Sequence, residues 1–281
     1  MKVLIKTELW KVFHSISFWI TLGAGTIISL ADVFTNWKIV YTYNQLYRDS
    51  GRNGFSGLDL FVRWIDINMD TLGYAWFFFL FPLLAALAYG WSLNRERYDG
   101  YVKHIYTRTS RKQYFGAKWL ISAFCGGLTV LIPLFLNLML NALVCPTCLP
   151  RVTDFATPMW QGDFFSALYY THPWLHAVAC LAKIFLWGAA TTSISFAAGY
   201  YLRSMIGCIL APQIIFVLVD FIRAKTAIAT PDKKFEISPL QLLHASTLNS
   251  NPAILVFGEI LIVLVICLVA AWAKGRRDEI L

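Results

Sequence analysis

Six long stretches of the chain are apolar, and polar, charged segments separate them. A helix needs about 20 mainly apolar residues to cross roughly 30 Å of hydrocarbon. The pattern therefore predicts an all-α integral membrane protein, a single transmembrane domain over residues 1–281 with six transmembrane helices. The predicted spans are residues 15–34, 72–92, 118–144, 174–202, 205–222 and 253–273.

Residues 1–14 precede the first span and carry a weaker helical pattern. Ile5, Leu9 and Val12 fall on one face of a helix, and Glu8 lies roughly opposite. This pattern favours an amphipathic interfacial helix on the membrane surface. The alternative is that the segment is an ordinary positively charged flank of the first span.

Composition supports a surface that faces lipid. Hydrophobic residues make up 58% of the chain, charged residues 14%, and the mean hydropathy is +0.57. A water-exposed surface could not carry this balance. The sequence also lacks the GxxxxGK[ST], HExxH and GxSxG patterns, so we expect no enzyme active site, no metal site and no cofactor bound by this chain.

The distribution of basic residues predicts the orientation. The stretch from Arg95 to Lys118, which connects spans two and three, holds seven lysines and arginines, and such loops stay on the cytoplasmic side. Both termini then lie in the cytoplasm, and fourteen of the 24 basic residues share that side. The net charge of +8 is explained by insertion topology and by attraction to anionic lipids of the cytoplasmic membrane. The lipid bilayer is therefore an expected partner and nucleic acid is not.

The connection between spans two and three has a characteristic order of residues. Gly100 follows Glu96 by four positions, an apolar and basic stretch comes next, Ser110-Arg111 stands where a turn is expected, and Lys118 opens the third span. This order resembles the corresponding loop of type-2 ABC exporter membrane subunits, the group of the bacitracin and lantibiotic-export permeases. The N-terminal helix, the six spans and the cytoplasmic termini are similar to that family as well.

The resemblance implies a function and partners. Residues 93–117 would hold the cytoplasmic coupling helix, which in that family sits on the nucleotide-binding subunit. The chain would be the permease subunit of an ATP-driven exporter that moves a peptide, an antimicrobial or an amphipathic substrate. Two copies of a separate ABC ATPase subunit would bind ATP and Mg²⁺, and a second membrane subunit, identical or related, would complete a dimer. The implied ATPase-subunit contacts are Glu96, Arg97, Gly100, Arg108, Ser110, Arg111 and Lys118.

Two other interpretations stay open at this point. The basic loop can serve insertion topology alone. The chain can also be a non-transporting immunity or sensing protein that binds a peptide with its outward loops. Those loops are predicted at residues 35–71, 145–173 and 223–252, where Gly, Pro, Asn and Asp interrupt the apolar pattern.

Two further features of the sequence carry candidate chemistry. Lys183 lies close to the middle of the fourth span, where a charge needs a partner or water. Asp220 and Glu259 are the available acids, and we expect either an ion pair that fixes helix packing or a polar patch on the export path. Cys145 and Cys148 open the second outward loop, and they form either a local disulfide or two free thiols.

Overall fold

The computed structural model describes residues 2–49, 59–107, 109–150, 159–229, 235–247 and 249–277. These parts of the chain form twelve helices, and no named strand occurs among them. In chain order the helices are α1 (Lys2–Phe13), α2 (Ile16–Asp49), α3 (Leu60–Arg63), α4 (Leu72–Tyr89), α5 (Ser92–Tyr98), α6 (Tyr101–Tyr106), α7 (Arg111–Asn141), α8 (Ser166–Thr171), α9 (Pro173–Tyr201), α10 (Met205–Ala229), α11 (Pro239–Leu242) and α12 (Ala253–Arg277).

Within the described residues, six helices are long and apolar enough to cross a membrane: α2, α4 with its continuation α5, α7, α9, α10 and α12. The prediction of six spans is confirmed. Helix α2 extends beyond the predicted first span, from Ile16 to Asp49. Asp32 and Asn36 interrupt the apolar run, yet both side chains are fully buried inside the protein. They are therefore polar groups within a helix and do not mark its end.

Helix α9 lies at the centre of the bundle. It packs against α7, α12, α10 and α4, and it is the most buried of the six spans. Small residues allow its closest approach to α7: a Cβ atom on Gly188 would lie 2.7 Å from Val130 Cγ2 and 2.8 Å from the Gly126 carbonyl oxygen. Close packing of this kind is typical of helices that associate in a membrane.

The three connections that the sequence predicts to face outward fold together at one end of the bundle. We call their described parts, residues 59–71, 142–150, 159–172 and 235–252 without residue 248, the cap. Backbone hydrogen bonds join them: the Leu60 N–H donates to the Pro146 carbonyl at 3.0 Å, and the Asn251 N–H donates to the Gly162 carbonyl at 3.2 Å. Trp64 is fully buried beneath these contacts. The cap is thus a packed layer and not a set of separate loops.

The two cysteines of the cap are both free thiols. Cys145 is buried and Cys148 is exposed. Burial raises the pKa of the Cys145 thiol to about 11, which keeps it protonated and unreactive at neutral pH. Of the two alternatives from the sequence, the structure has the pair of free thiols.

Candidate functional site

The polar connection between the second and third spans is a folded helical turn. Helix α5 continues the second span and ends at Tyr98, with Asp99 as its C-cap, and α6 begins at Tyr101. Gly100 joins them with a φ of 71°, a left-handed conformation that glycine adopts at little cost. Ser110 then caps α7, with its hydroxyl accepting a hydrogen bond from the Gln113 N–H at 3.4 Å. Two residues of the resemblance, Gly100 and Ser110, therefore shape this turn.

Four charged side chains form a closed ring beneath the turn. Lys118 Nζ lies 2.7 Å from a Glu8 carboxylate oxygen and 2.9 Å from one of Glu96. Lys11 Nζ lies 2.8 Å from Glu8 and 2.9 Å from Glu96. Positive and negative groups alternate around this ion-pair ring, so each charge has two partners of opposite sign.

The ion-pair ring is largely shielded from solvent. The exposed side-chain fractions are 0% for Lys118, 4% for Glu8, 15% for Glu96 and 25% for Lys11. Two tyrosine hydroxyls add hydrogen bonds: that of Tyr89 donates to Glu8 at 2.9 Å, and that of Tyr114 donates to Glu96. Buried charges are tolerated only when such partners offset the loss of hydration. The ring therefore fastens α1, α5 and α7 to one another.

Glu8 and Lys11 of the ring keep their charges at neutral pH. Burial alone would raise the pKa of Glu8, but the Lys118 ammonium and hydrogen bonds from Lys11 and Lys118 outweigh it and hold the pKa below its ordinary value of 4.5. Burial would lower the pKa of Lys11, but its hydrogen bonds to Glu8 and Glu96 raise it instead. The stabilisation from Glu8 is thus present above about pH 4.5 and is lost on further acidification.

The ring also corrects the interpretation of α1. Ile5, Leu9 and Val12 pack against the bundle, as an apolar face should. Glu8, predicted on the opposite, solvated side, points inward with them and is 3% exposed. Its partner Lys118 is 110 residues away in the sequence, so the helical periodicity of residues 1–14 carried no sign of the pairing.

The residues that the resemblance implies as ATPase contacts divide into two groups. Glu96 and Lys118 point into the protein, where they hold the turn in place. Arg97 also binds within the chain, since its guanidinium donates to the Gly199 carbonyl at 2.9 Å and lies over the Tyr200 ring at 4.7 Å. These side chains position the turn and do not form its outer surface.

Of the remaining implied contacts, the structure describes Gly100, Ser110 and Arg111. Arg111 is exposed and stacks on the Tyr106 ring at 5.4 Å. Arg108 falls outside the described residues. The surface of the turn also has an aromatic part that was not predicted from the sequence: Tyr98 is 84% exposed and Tyr101 is 41% exposed. Two exposed tyrosines within a charged turn are the signal that could have identified it.

We define the α5–α6 surface by the exposed residues of the turn. Arg95 and Asp99 lie on it as a solvent-exposed ion pair at 3.6 Å, a weak interaction in water. The two tyrosines provide apolar area with hydroxyl groups at the rim, a combination favoured at protein interfaces. Its members are Arg95, Tyr98, Asp99, Tyr101, Lys103 and His104.

A second buried ion pair joins the cap to the bundle. Lys183 Nζ lies 3.4 Å from Asp66 Oδ2, and both side chains are 0% exposed. The prediction that Asp220 or Glu259 would supply the partner was wrong. Asp220 instead accepts a hydrogen bond from the Ser238 hydroxyl at 2.8 Å, and Glu259 is half-buried on α12 without an ion pair to Lys183 among the described residues. Asp66 belongs to the part of the cap that follows α3, and its ion pair places this part against α9.

Neutral polar groups surround this pair. Lys183 lies over the Phe164 ring at 5.1 Å, and the His176 Nε2 is 3.0 Å from the Phe164 carbonyl oxygen. His244, in the cap, stacks on Tyr74. Burial and the nearby Lys183 ammonium lower the pKa of His244 to about 3, so this histidine is neutral at physiological pH. His244 therefore adds no charge beside the pair.

A third polar cluster ties the first span to the cap. The Asp32 carboxylate accepts hydrogen bonds from the Thr71 hydroxyl, the Asn36 amide at 3.1 Å and the Asn137 amide at 2.8 Å. The same Asn36 amide donates to the Arg63 carbonyl at 2.9 Å. Asp32 lay inside a predicted span and was not recognised from the sequence. Its three donors allow a carboxylate to remain buried.

Comparison with known proteins does not extend these observations: no family model, curated protein or solved structure matches the chain. Within the described residues, no group of three or more His, Cys, Asp or Glu side chains could hold a metal ion. The site is therefore defined by the turn, the ion-pair ring under it and the α5–α6 surface above it.

Proposed function

We propose that the chain is the membrane-spanning subunit of an ATP-driven ABC exporter. The observation that carries this proposal is the construction of the turn between the second and third spans. One side of the turn is fixed to α1 and α7 by the ion-pair ring, and the other side exposes two tyrosines and several charges. A rigid element with an exposed, mixed aromatic and charged surface suits a soluble partner that has to move a membrane domain.

The resemblance in the loop supplies the identity of the partner. An ABC ATPase subunit, in two copies, binds ATP and Mg²⁺ and docks on the α5–α6 surface. The chain itself carries no phosphate-binding motif, so it binds no nucleotide and catalyses no hydrolysis. The turn lies on the cytoplasmic side of the cell membrane, together with both termini.

The ion-pair ring connects the docking surface to the transmembrane helices through direct side-chain contacts. A push on α5 is transmitted to α7 through Glu96 and Lys118, and to α1 through Glu96 and Lys11. Packed elements of this kind shift as rigid bodies and do not deform gradually. With a second membrane subunit, identical or related, such movements open and close a pathway for a peptide, an antimicrobial or an amphipathic substrate.

Lys183 has a supporting role in this account. Its ion pair with Asp66 joins the central span to the cap, and that arrangement favours helix and cap packing over an ionic lining of the export path. The movements at the turn can then reach the cap through α9, which packs directly against α7.

A pull-down tests the proposal. Tagged protein is purified gently from its native membrane, and the ATPase activity of the eluate is compared between wild type and a Tyr98→Ala/Tyr101→Ala variant. Wild type is expected to retain an ATPase subunit, and the variant is expected to lose most of it because two exposed aromatic anchors are removed.

The matched control removes two exposed tyrosines from α2, Tyr41 and Tyr43, which are 65% and 46% exposed. The Tyr41→Ala/Tyr43→Ala variant is expected to retain the ATPase. A wild-type eluate without any ATPase would contradict the exporter proposal, and equal loss in both double variants would remove the α5–α6 surface from it.

The folded cap favours a second candidate, a membrane protein for immunity or sensing that binds a peptide without transporting it. An open groove of about 290 Å³ lies between the cap and the start of α9, lined by Phe61, Cys148, His172 and Trp174 among others. Peptide binding at this groove without an associated ATPase would support that candidate. The pull-down therefore separates the two functions directly.

A further inference from the structure

Helix α1 has an exposed face with an unusual composition. Three large apolar side chains are strongly exposed on it: Val3 at 78%, Trp10 at 62% and Phe13 at 45%. Lys2 and Lys6 are exposed as well. At 100° per residue these five side chains fall within one arc of the helix, opposite the side that packs on the bundle.

The charges on this face are of one sign. Glu8 is the only acidic residue in residues 2–14, and it points inward to the ion-pair ring. The basic side chains Lys2 and Lys6 therefore remain on the outer side with Trp10 and Phe13, without an acidic neighbour on the helix. Basic residues alternating with Trp and Phe on an exposed helix face match a surface that carries both hydrocarbon and negative charge.

The position of α1 indicates that this surface is the membrane. Only His14 and Ser15 separate α1 from the first span, so the helix lies where that span leaves the hydrocarbon. Trp19, the first exposed aromatic of the span, donates from its indole N–H to the Phe13 carbonyl at 2.8 Å and is itself 56% exposed. The exposed face of α1 is thus continuous with the lipid-facing side of α2.

We infer that the outer face of α1 binds the headgroups of anionic phospholipids. Trp10 and Phe13 enter the boundary between headgroups and acyl chains, and the ammonium groups of Lys2 and Lys6 pair with lipid phosphates. Because the opposite side of α1 holds Glu96 through Lys11, lipid binding also fixes the level of the α5–α6 turn relative to the membrane. Headgroup binding does not depend on the proposed exporter function.

The test places a fluorophore on this face. A bimane is attached at Val3→Cys in a Cys148→Ser background, since the other five native cysteines are buried. The protein is reconstituted in phosphatidylcholine nanodiscs with a small fraction of either phosphatidylglycerol or phosphatidylcholine that carries a quenching doxyl group near the headgroup. Protein labelled without the Val3→Cys change gives the background. No ATPase subunit is needed, so the outcome is separate from that of the pull-down.

Quenching by labelled phosphatidylglycerol is expected to exceed quenching by labelled phosphatidylcholine. Each lysine near an anionic surface raises the local affinity roughly fivefold, so two lysines predict a preference of about 25-fold at low salt, which added salt screens. A Lys2→Gln/Lys6→Gln variant should lose most of this preference. A Lys38→Gln/Lys225→Gln variant, which removes two exposed lysines from other helices, should keep it.

Two results would overturn the inference. Equal quenching by both labelled lipids would show contact with the bilayer without recognition of the anionic headgroup. Absence of quenching by either lipid would show that protein covers this face, whether a second copy of the chain or another subunit.

Discussion

Lys118→Met is expected to lower the stability of the protein strongly and to release the α5–α6 turn. The substitution leaves Glu8 and Glu96 facing each other in a largely buried site with Lys11 as their only remaining cation in the ring. Removing one partner of a buried ion pair typically costs roughly 3–5 kcal/mol. The apparent Tm of the purified protein should fall, and trypsin should cut more readily at the basic residues of the turn.

The control for this experiment lies on the same helix. Lys112→Met removes an exposed lysine from the first turn of α7, so its effect should be small. Lys118→Arg keeps the charge and should retain part of the stability. In the Lys118→Met/Glu8→Gln double variant the charges of the ring balance again, and we expect partial recovery. An effect of Lys118→Met no larger than that of Lys112→Met would show that the ring does not hold the turn.

Substituting either member of the Lys183–Asp66 pair is also expected to lower the stability of the protein strongly. Lys183→Met leaves a buried carboxylate without its cation, and Asp66→Asn leaves a buried ammonium without its anion. Each single variant should lose roughly 3–5 kcal/mol of stability, while the Lys183→Met/Asp66→Asn double variant should lose clearly less than the sum. Thermal unfolding in detergent, followed by near-ultraviolet circular dichroism, measures the stability of each of the three variants relative to wild type.

Lys38→Met serves as the control because this lysine is exposed on α2. It should change the apparent Tm little. If the effects of Lys183→Met and Asp66→Asn simply add in the double variant, the two side chains do not act as a pair, and the cap is held by its other contacts. The cap would then depend mainly on the Asp32 cluster and on its apolar core.

The spans could be predicted from the sequence because an apolar run of sufficient length has few alternatives to a membrane helix. The end of α2 could not, since a buried Asn36 and a loop asparagine look identical in a sequence. Only its partners Asp32, Arg63 and Asn68 distinguish them, and Arg63 and Asn68 lie in the cap. Polar residues that are satisfied by tertiary contacts therefore produce errors at helix boundaries.

The side-chain pairings of the candidate site were even harder to predict from the sequence. The sequence predicted that the connection between spans two and three would be ordered and charged. The inward direction of Glu96 and Lys118 depends on Glu8 and Lys11, which come from a helix far away in the chain. Lys183 and Asp66 are 117 residues apart. Neither pairing has a periodic signature, so the choice among several acids could be made only from the folded chain.

Site-specific photo-crosslinking from the α5–α6 surface tests directly whether an ATPase subunit docks there. A photoreactive amino acid replaces Tyr98, which is 84% exposed, and a control protein carries it at Tyr41, which is 65% exposed. After irradiation in native membranes, position 98 is expected to give a crosslink to a polypeptide that contains the GxxxxGK[ST] motif of an ATPase, and position 41 is not. Crosslinking at position 98 to lipid alone, or to no such polypeptide, would contradict the assignment of this turn as the contact between the membrane subunit and an ATPase.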